Sequence, residues 1–124
     1  MATKVGIIGA GGMLQYHVGG FREADADILA VCDVNKEAAD KAAGEFAIEN
    51  VFGDVSEMLE KLPELDALSI ITPNRFHKPL AIQALEAGKH VFVEKPLAAS
   101  AKEAEELVEL ADKKNLRLMV GHTF

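Results

Sequence analysis

Short apolar runs alternate with helix-like stretches along the whole chain of 124 residues. The runs are continuous rather than interrupted by polar residues, which is typical of strands that are covered on both faces. The stretches between them have the apolar period of helices. The predicted strands cover 5–8, 28–32, 51–52, 67–72, 91–93 and 116–120, and the predicted helices cover 13–21, 36–46, 56–62, 76–87 and 100–114.

Capping residues support several of these helix boundaries. Ser56 is a predicted N-cap for the third helix, and Pro63 ends that helix. Gly88 stands where a glycine is expected after the end of the fourth helix. Ser100 and Glu103 form a predicted capping box for the fifth helix.

Strands and helices that alternate through short connections predict a parallel sheet with helices on both faces. Right-handed crossovers favour the doubly wound Rossmann arrangement, with six strands in the order 3-2-1-4-5-6. The chain is 49% hydrophobic, which suits one core of ordinary size, and it contains no linker or repeat. We therefore predict an α/β fold with residues 1–124 as a single domain.

A glycine-rich turn connects the first strand to the first helix. Gly9 permits a tight turn, and Gly11 has no side chain to keep a pyrophosphate away from the backbone. Gly12 and Met13 then bring backbone amides at the start of the helix to the phosphates. Leu14 occupies the third fingerprint position, so the helix must either move off the strand or pack against small residues. The alternative is a purely structural turn.

Asp33 ends the second strand about 20 residues further on, where a dinucleotide site needs a carboxylate for the adenosine ribose. A 2′-phosphate there would meet a like charge at a cost of about 1–4 kcal/mol, or roughly tenfold to a thousandfold in affinity. The predicted cofactor is therefore NAD rather than NADP. Lys36 could contact a phosphate but is expected on the solvated start of the next helix. The alternative for Asp33 is a turn residue that ends its strand.

Polar residues also follow the fourth and fifth predicted strands. Ligands of doubly wound sheets lie outside the carboxyl ends of the strands, so these residues are expected to meet at one edge. The candidates at this edge are Thr72, Pro73, Asn74, His77, Glu94 and Lys95.

These elements together resemble the glucose–fructose oxidoreductase/inositol dehydrogenase (Gfo/Idh/MocA) family. The turn at 9–12 with His17, the segment TPNRFH at 72–77 and EKP at 94–96 carry the resemblance. It covers essentially the whole chain, as the N-terminal cofactor domain of that family.

The resemblance implies roles for the residues at the strand ends. Thr72, Pro73, Asn74 and His77 would line the nicotinamide side of the cofactor groove. Glu94 and Lys95 would lie beside the nicotinamide, with Lys95 as the catalytic residue that contacts the reacting hydroxyl. The bond before Pro96 is often cis in such proteins.

Other interpretations of these side chains stay open. Lys95 could be a solvent-facing lysine at a strand end, and His77 could be a surface or capping residue. His17 is predicted to be a packing residue, and no chemistry is predicted for His90 or His122. The four histidines and one cysteine lack the spacing of metal ligands, so no metal site is predicted.

The resulting functional prediction is the NAD-binding domain of an oxidoreductase that transfers hydride between nicotinamide and a secondary alcohol of a sugar or polyol. The family's second domain, with an Asp and His pair for substrate, would begin where this chain ends at Phe124. The chain alone is expected to bind cofactor with little or no turnover. Two alternatives remain, a non-catalytic nucleotide-sensing or interaction module and an S-adenosylmethionine-dependent methyltransferase.

Composition limits the kinds of binding partner and the cellular compartment that are expected. A net charge of −7 and the absence of a basic stripe argue against nucleic acid. The sequence has no signal-peptide pattern, and no apolar segment approaches the roughly 20 residues that a membrane span requires. Cys32 is the single cysteine, so a disulfide framework is not expected and a reducing cytoplasm is. The free edge of the last strand, 116–120, together with Phe124, predicts a homo-oligomer.

Overall fold

The structure is a computed structural model that describes residues 3–11, 14–72, 76–94 and 101–121. The strands are β1 (Lys4–Ile8), β2 (Asp27–Cys32), β3 (Asn50–Phe52), β4 (Ala67–Ile70), β5 (His90–Glu94) and β6 (Leu118–Gly121), and the helices are α1 (Leu14–Glu23), α2 (Lys36–Phe46), α3 (Val55–Lys61), α4 (His77–Glu86) and α5 (Ala101–Lys113). All neighbouring strands are parallel, in the order β3-β2-β1-β4-β5-β6. The predicted fold class and strand order are therefore confirmed.

Two apolar cores lie on the two faces of the sheet. Ile7 belongs to a core with side chains of α1 and α2, whereas its neighbour Ile8 belongs to a core with α3, α4 and α5. This alternation follows from the pleat, which points successive side chains of a strand to opposite faces. Both faces of β1 are thus covered, and the continuous apolar run in its sequence is explained.

The start of α3 differs from the prediction. Asp54, not Ser56, is the N-cap, and its Oδ1 accepts from the backbone N–H of Ser56 at 3.1 Å. Ser56 already lies inside the first turn, so it cannot cap the helix. A carboxylate at this place also interacts favourably with the helix dipole.

The ends of two strands also differ from the prediction. β4 ends at Ile70, although Ile71 still donates to the carbonyl of Ile8 at 2.9 Å. β6 begins at Leu118, because the N–H of Leu116 donates to Ala111 at the end of α5. Leu116 therefore belongs to the turn that ends α5, and the strand begins two residues later.

The end of α4 follows the prediction. Gly88 has a φ of +79° just after the helix, which confirms its expected role as the C-terminal glycine. The predicted capping residue Ser100 lies outside the described residues. The longest helix described, α5, has 13 residues, and within the described ranges no helix has the length and apolarity that a membrane span requires.

Candidate functional site

A cavity of about 370 Å³ lies at the carboxyl ends of β1, β2 and β4. Residues from three strand tips line it, among them Gly9, Asp33 and Thr72. In a sheet of order 3-2-1-4-5-6 the chain leaves β1 and β4 in opposite directions, which opens a crevice at this point. The structure thus brings together predicted site residues that are far apart in sequence.

The carboxylate of Asp33 is held by two backbone N–H groups. Its Oδ2 accepts from Ala10 in the glycine turn at 2.9 Å, and its Oδ1 accepts from Asn35 at 2.9 Å. An ionised carboxylate offers about four lone-pair directions, so acceptor capacity remains for hydroxyl groups. Asp33 is therefore both a link between β2 and the glycine turn and a candidate ligand for a diol.

The first two glycines of the turn differ in their surroundings. Gly9 has a φ of +112°, and a Cβ added there would lie 3.0 Å from Cγ1 of Ile71. A Cβ added at Gly11 would have nothing within 4 Å among the described residues. Gly9 is thus required by packing, whereas Gly11 faces open space where a ligand can approach. Gly12 and Met13 lie outside the described residues.

Leu14 is buried, with 2% of its surface exposed, in the core that also contains Ala42 and Ala43 of α2. This arrangement matches the expectation that small residues compensate for the large side chain at this fingerprint position. The backbone N–H of Leu14 donates to the carbonyl of Gly11 at 3.0 Å. This residue therefore shapes the turn through packing, and its amide already has a partner.

His77 contacts the backbone of Thr72, and Thr72 lines the cavity. His77 is 1% exposed, and its Nε2 donates to the carbonyl oxygen of Thr72 at 2.8 Å. The alternative of a surface role for His77 is therefore wrong. The Oγ1 of Thr72 is buried without a hydrogen-bond partner among the described residues. Such an orphaned hydroxyl beside a cavity fits a polar ligand.

The remaining predicted site residues are at the ends of β4 and β5 in the sequence. Pro73, Asn74 and Lys95 lie outside the described residues, as does Pro96. Only the backbone of Glu94 is described, and it pairs with Gly121 at the carboxyl end of β5.

Two other histidines have structural roles. His17 is 3% exposed, and its ring packs edge-on against Phe92 with the ring centroids 5.7 Å apart. Its predicted packing role is thus confirmed. The Nδ1 of His90 accepts from the N–H of Arg117 at 3.0 Å, which joins β5 to the segment before β6. Within the described parts of the chain, no three His, Cys, Asp or Glu side chains could hold a metal ion together.

Cys32, at the end of β2, lines the cavity that contains Asp33. Burial raises the pKa of its thiol to about 12, and the nearby negative charges of Asp54, Asp33 and Glu57 contribute further. The thiol therefore stays protonated near neutral pH and is a poor nucleophile. Its role is that of a small apolar side chain.

A second cavity, of about 620 Å³, lies near the amino ends of the strands, away from their carboxyl ends. Apolar side chains of α1, β5 and β6 line it, including Phe21, Phe92 and Met119. Of the predicted cofactor ligands that the structure describes, none is among its lining residues. The smaller crevice is thus the better candidate for a dinucleotide, because it has the polar groups that one requires.

A family model described as an oxidoreductase family with an NAD-binding Rossmann fold matches residues 3–122. The chain belongs to the Gfo/Idh/MocA oxidoreductase family. The resemblance carried by the glycine turn and the two polar strand ends is therefore confirmed.

Individual relatives agree with this assignment. The chain is 33% identical over 121 residues to a 4-carboxy-2-hydroxymuconate-6-semialdehyde dehydrogenase from Sphingobium, covering 97% of this chain and 38% of the relative. It is 34% identical over 119 residues to a UDP-N-acetylglucosamine 3-dehydrogenase from Acidithiobacillus ferrooxidans, covering 96% of this chain and 36% of the relative. The crystal structure of the WlbA dehydrogenase from Bordetella pertussis, in complex with NADH and UDP-GlcNAcA, superimposes with a TM-score of 0.89 at 31% identity. The match covers 98% of this chain and 37% of that protein.

The chain spans a little over a third of the length of these Gfo/Idh/MocA relatives. That third is the NAD-binding Rossmann domain. The described residues fit such a cofactor, since Gly11 faces open space, Asp33 retains acceptor capacity and the Thr72 hydroxyl has no partner among them.

Proposed function

We propose that residues 1–124 bind NAD(H) in the crevice at the tips of β1, β2 and β4. The observation that carries the proposal is the Asp33 carboxylate, which the N–H of Ala10 holds at the tip of β2 beside the glycine turn. Asp33 accepts hydrogen bonds from the ribose hydroxyls, while the backbone from Gly11 to Met13 approaches the pyrophosphate. Leu14 supports this turn from the core below it.

The nicotinamide end then lies toward the tips of β4 and β5. Thr72, Pro73 and Asn74 line this side, and His77 holds the backbone of Thr72 in position. Bound NAD⁺ supplies a hydride acceptor. The family pattern supports Glu94 beside the nicotinamide and Lys95 as the catalytic residue, which contacts the reacting hydroxyl and takes part in moving its proton.

The substrate class proposed for the whole enzyme is a sugar or polyol with a secondary hydroxyl group. Support comes from relatives, among them the UDP-N-acetylglucosamine 3-dehydrogenase and the WlbA dehydrogenase with bound UDP-GlcNAcA. The greater length of these relatives supports a substrate-binding part outside residues 1–124. The domain alone is thus proposed to bind cofactor with little or no turnover, in the cytoplasm. Family membership does not favour the methyltransferase or the sensing module.

Cofactor choice tests the proposal directly. We expect isothermal titration calorimetry to show at least roughly tenfold tighter binding of NADH than of NADPH, because the 2′-phosphate meets the Asp33 carboxylate. Asp33→Ala is expected to erase this preference. Asp40→Ala removes the same charge from an exposed position on α2 and should leave the preference intact. Equal binding of both cofactors by the wild-type domain would contradict the assignment of Asp33.

We also propose that the domain forms homo-oligomers through β6. This strand is an edge of the sheet, and Met119 and Val120 on it are 55% and 39% exposed. Unpaired edges with apolar side chains promote association. Sedimentation velocity is expected to show a concentration-dependent dimer that Met119→Lys weakens. A single monomeric species at high concentration would rule out this interface.

A further inference from the structure

The crevice that contains Asp33 has mostly apolar walls. Among the side chains that form them are Val55 of α3, Leu80 of α4 and Ile71, which directly follows β4. Val34, next to Asp33, lines the same cavity although 94% of its surface is exposed. A flat apolar ring could cover Val34 and fill the space between these walls. If Asp33 binds the adenosine ribose, the attached base lies close to Val34, within reach of these apolar side chains.

Gln83 of α4 places an amide group among these apolar side chains. Its Nε2 donates to the Oγ of Ser56 at 2.8 Å, so α4 and α3 are joined beside the cavity. One amide proton is used in this bond. Among the described residues, the carbonyl oxygen and the second N–H of this amide have no further partner, so both are available to a ligand. The amide therefore offers one acceptor and one donor while Ser56 restricts its rotation.

An acceptor beside a donor is complementary to one edge of adenine. The exocyclic amino group of adenine donates and its N7 accepts, and glutamine can bind both at once. Hypoxanthine has a carbonyl oxygen in place of that amino group, which would face the amide oxygen of Gln83 with no proton between them. The carboxylate of Asp54 lines the cavity as well, but its Oδ1 already caps α3.

We propose that Gln83, held by Ser56, recognises the exocyclic amino group of the cofactor's adenine and so discriminates against deaminated dinucleotides. The inference rests on the proposed binding of NAD(H) in this crevice. Gln83 is the residue that contacts the base, and Ser56 is a positioning residue that acts through it.

Titration of the domain with NADH and with reduced nicotinamide hypoxanthine dinucleotide tests this inference. Good bidentate pairs of this kind discriminate by about 1–3 kcal/mol, so we expect roughly tenfold weaker binding of the hypoxanthine cofactor. Gln83→Leu is expected to weaken NADH binding and to bring the two affinities within about twofold of each other. Ser56→Ala should reduce the ratio by a smaller factor, since the amide stays but loses its anchor.

Gln15→Leu is the matched control, because Gln15 is exposed on α1 and does not line this cavity. The ratio of the two affinities should stay at its wild-type value in this variant. A ratio that survives Gln83→Leu but is lost in Asp54→Asn would overturn the assignment to Gln83. An unchanged ratio in Ser56→Ala would overturn the positioning role.

The wild-type titrations separate this inference from the proposed function. A domain that binds neither dinucleotide contradicts the proposed function and the inference together. A domain that binds NADH and the hypoxanthine cofactor equally well contradicts the inference alone. The wild-type titrations require no Gln83 variant, so equal affinities there still contradict the inference even where Gln83→Leu does not fold.

Discussion

Gly11→Val is expected to weaken NADH binding by about a hundredfold or more while the free energy of unfolding stays close to the wild-type value. A Cβ at this position meets nothing within 4 Å among the described residues, so the fold has room for it. The added methyl groups would occupy the space through which the pyrophosphate approaches the backbone. Calorimetric titration with NADH and thermal unfolding of the same sample measure both effects.

Gly19→Val provides the control for this substitution. Gly19 lies on the exposed side of α1, and a Cβ there also has nothing within 4 Å among the described residues. NADH affinity should therefore remain unchanged in this variant. If Gly11→Val bound NADH as tightly as the wild type does, the pyrophosphate would have to lie elsewhere.

Strongly periodic elements were predictable because local pattern and tertiary environment agree there. The helix predicted over 36–46 is observed with these bounds, and the side chain of Asn35 caps it by accepting from the N–H of Ala38. Its end was less visible in the sequence, since Ala47 takes the left-handed conformation, with a φ of +56°, that glycine usually adopts. The strand order followed from connection lengths and handedness, which depend little on individual residues.

Helix caps were harder to assign where two suitable residues lie close together. Asp54 and Ser56 are both common N-caps, and only the backbone conformation selects between them. Asp54 is extended, with φ −141° and ψ 130°, as an N-cap requires. The sequence pattern does not determine this conformation, because it depends on how β3 enters α3.

Some features of the candidate site could be predicted from the sequence, and others could not. The place of Asp33 at the tip of β2 follows from its spacing to the glycine turn, but its bond to the N–H of Ala10 requires the two strand tips to be adjacent. The Gln83–Ser56 hydrogen bond joins residues 27 positions apart on two helices. No periodicity indicates such a pair, since it arises only when α3 and α4 pack on the same face of the sheet.

Gly9→Ala is expected to lower the free energy of unfolding by about 2–5 kcal/mol, because backbone strain and overpacking add at this position. Its φ of +112° disfavours any L side chain, and the new methyl group would lie 3.1 Å from the backbone carbonyl of Ile71. The turn cannot easily move aside, since the N–H of Gly9 donates to Cys32 at 2.7 Å. Chemical denaturation measures the loss.

Gly88→Ala is the matched comparison, with a φ of +79° but no described atom within 4 Å of the added Cβ, so strain alone should cost about 1–2 kcal/mol. Equal losses in the two variants would mean that contact with Ile71 adds nothing, and that the tip of β4 does not hold the glycine turn in place.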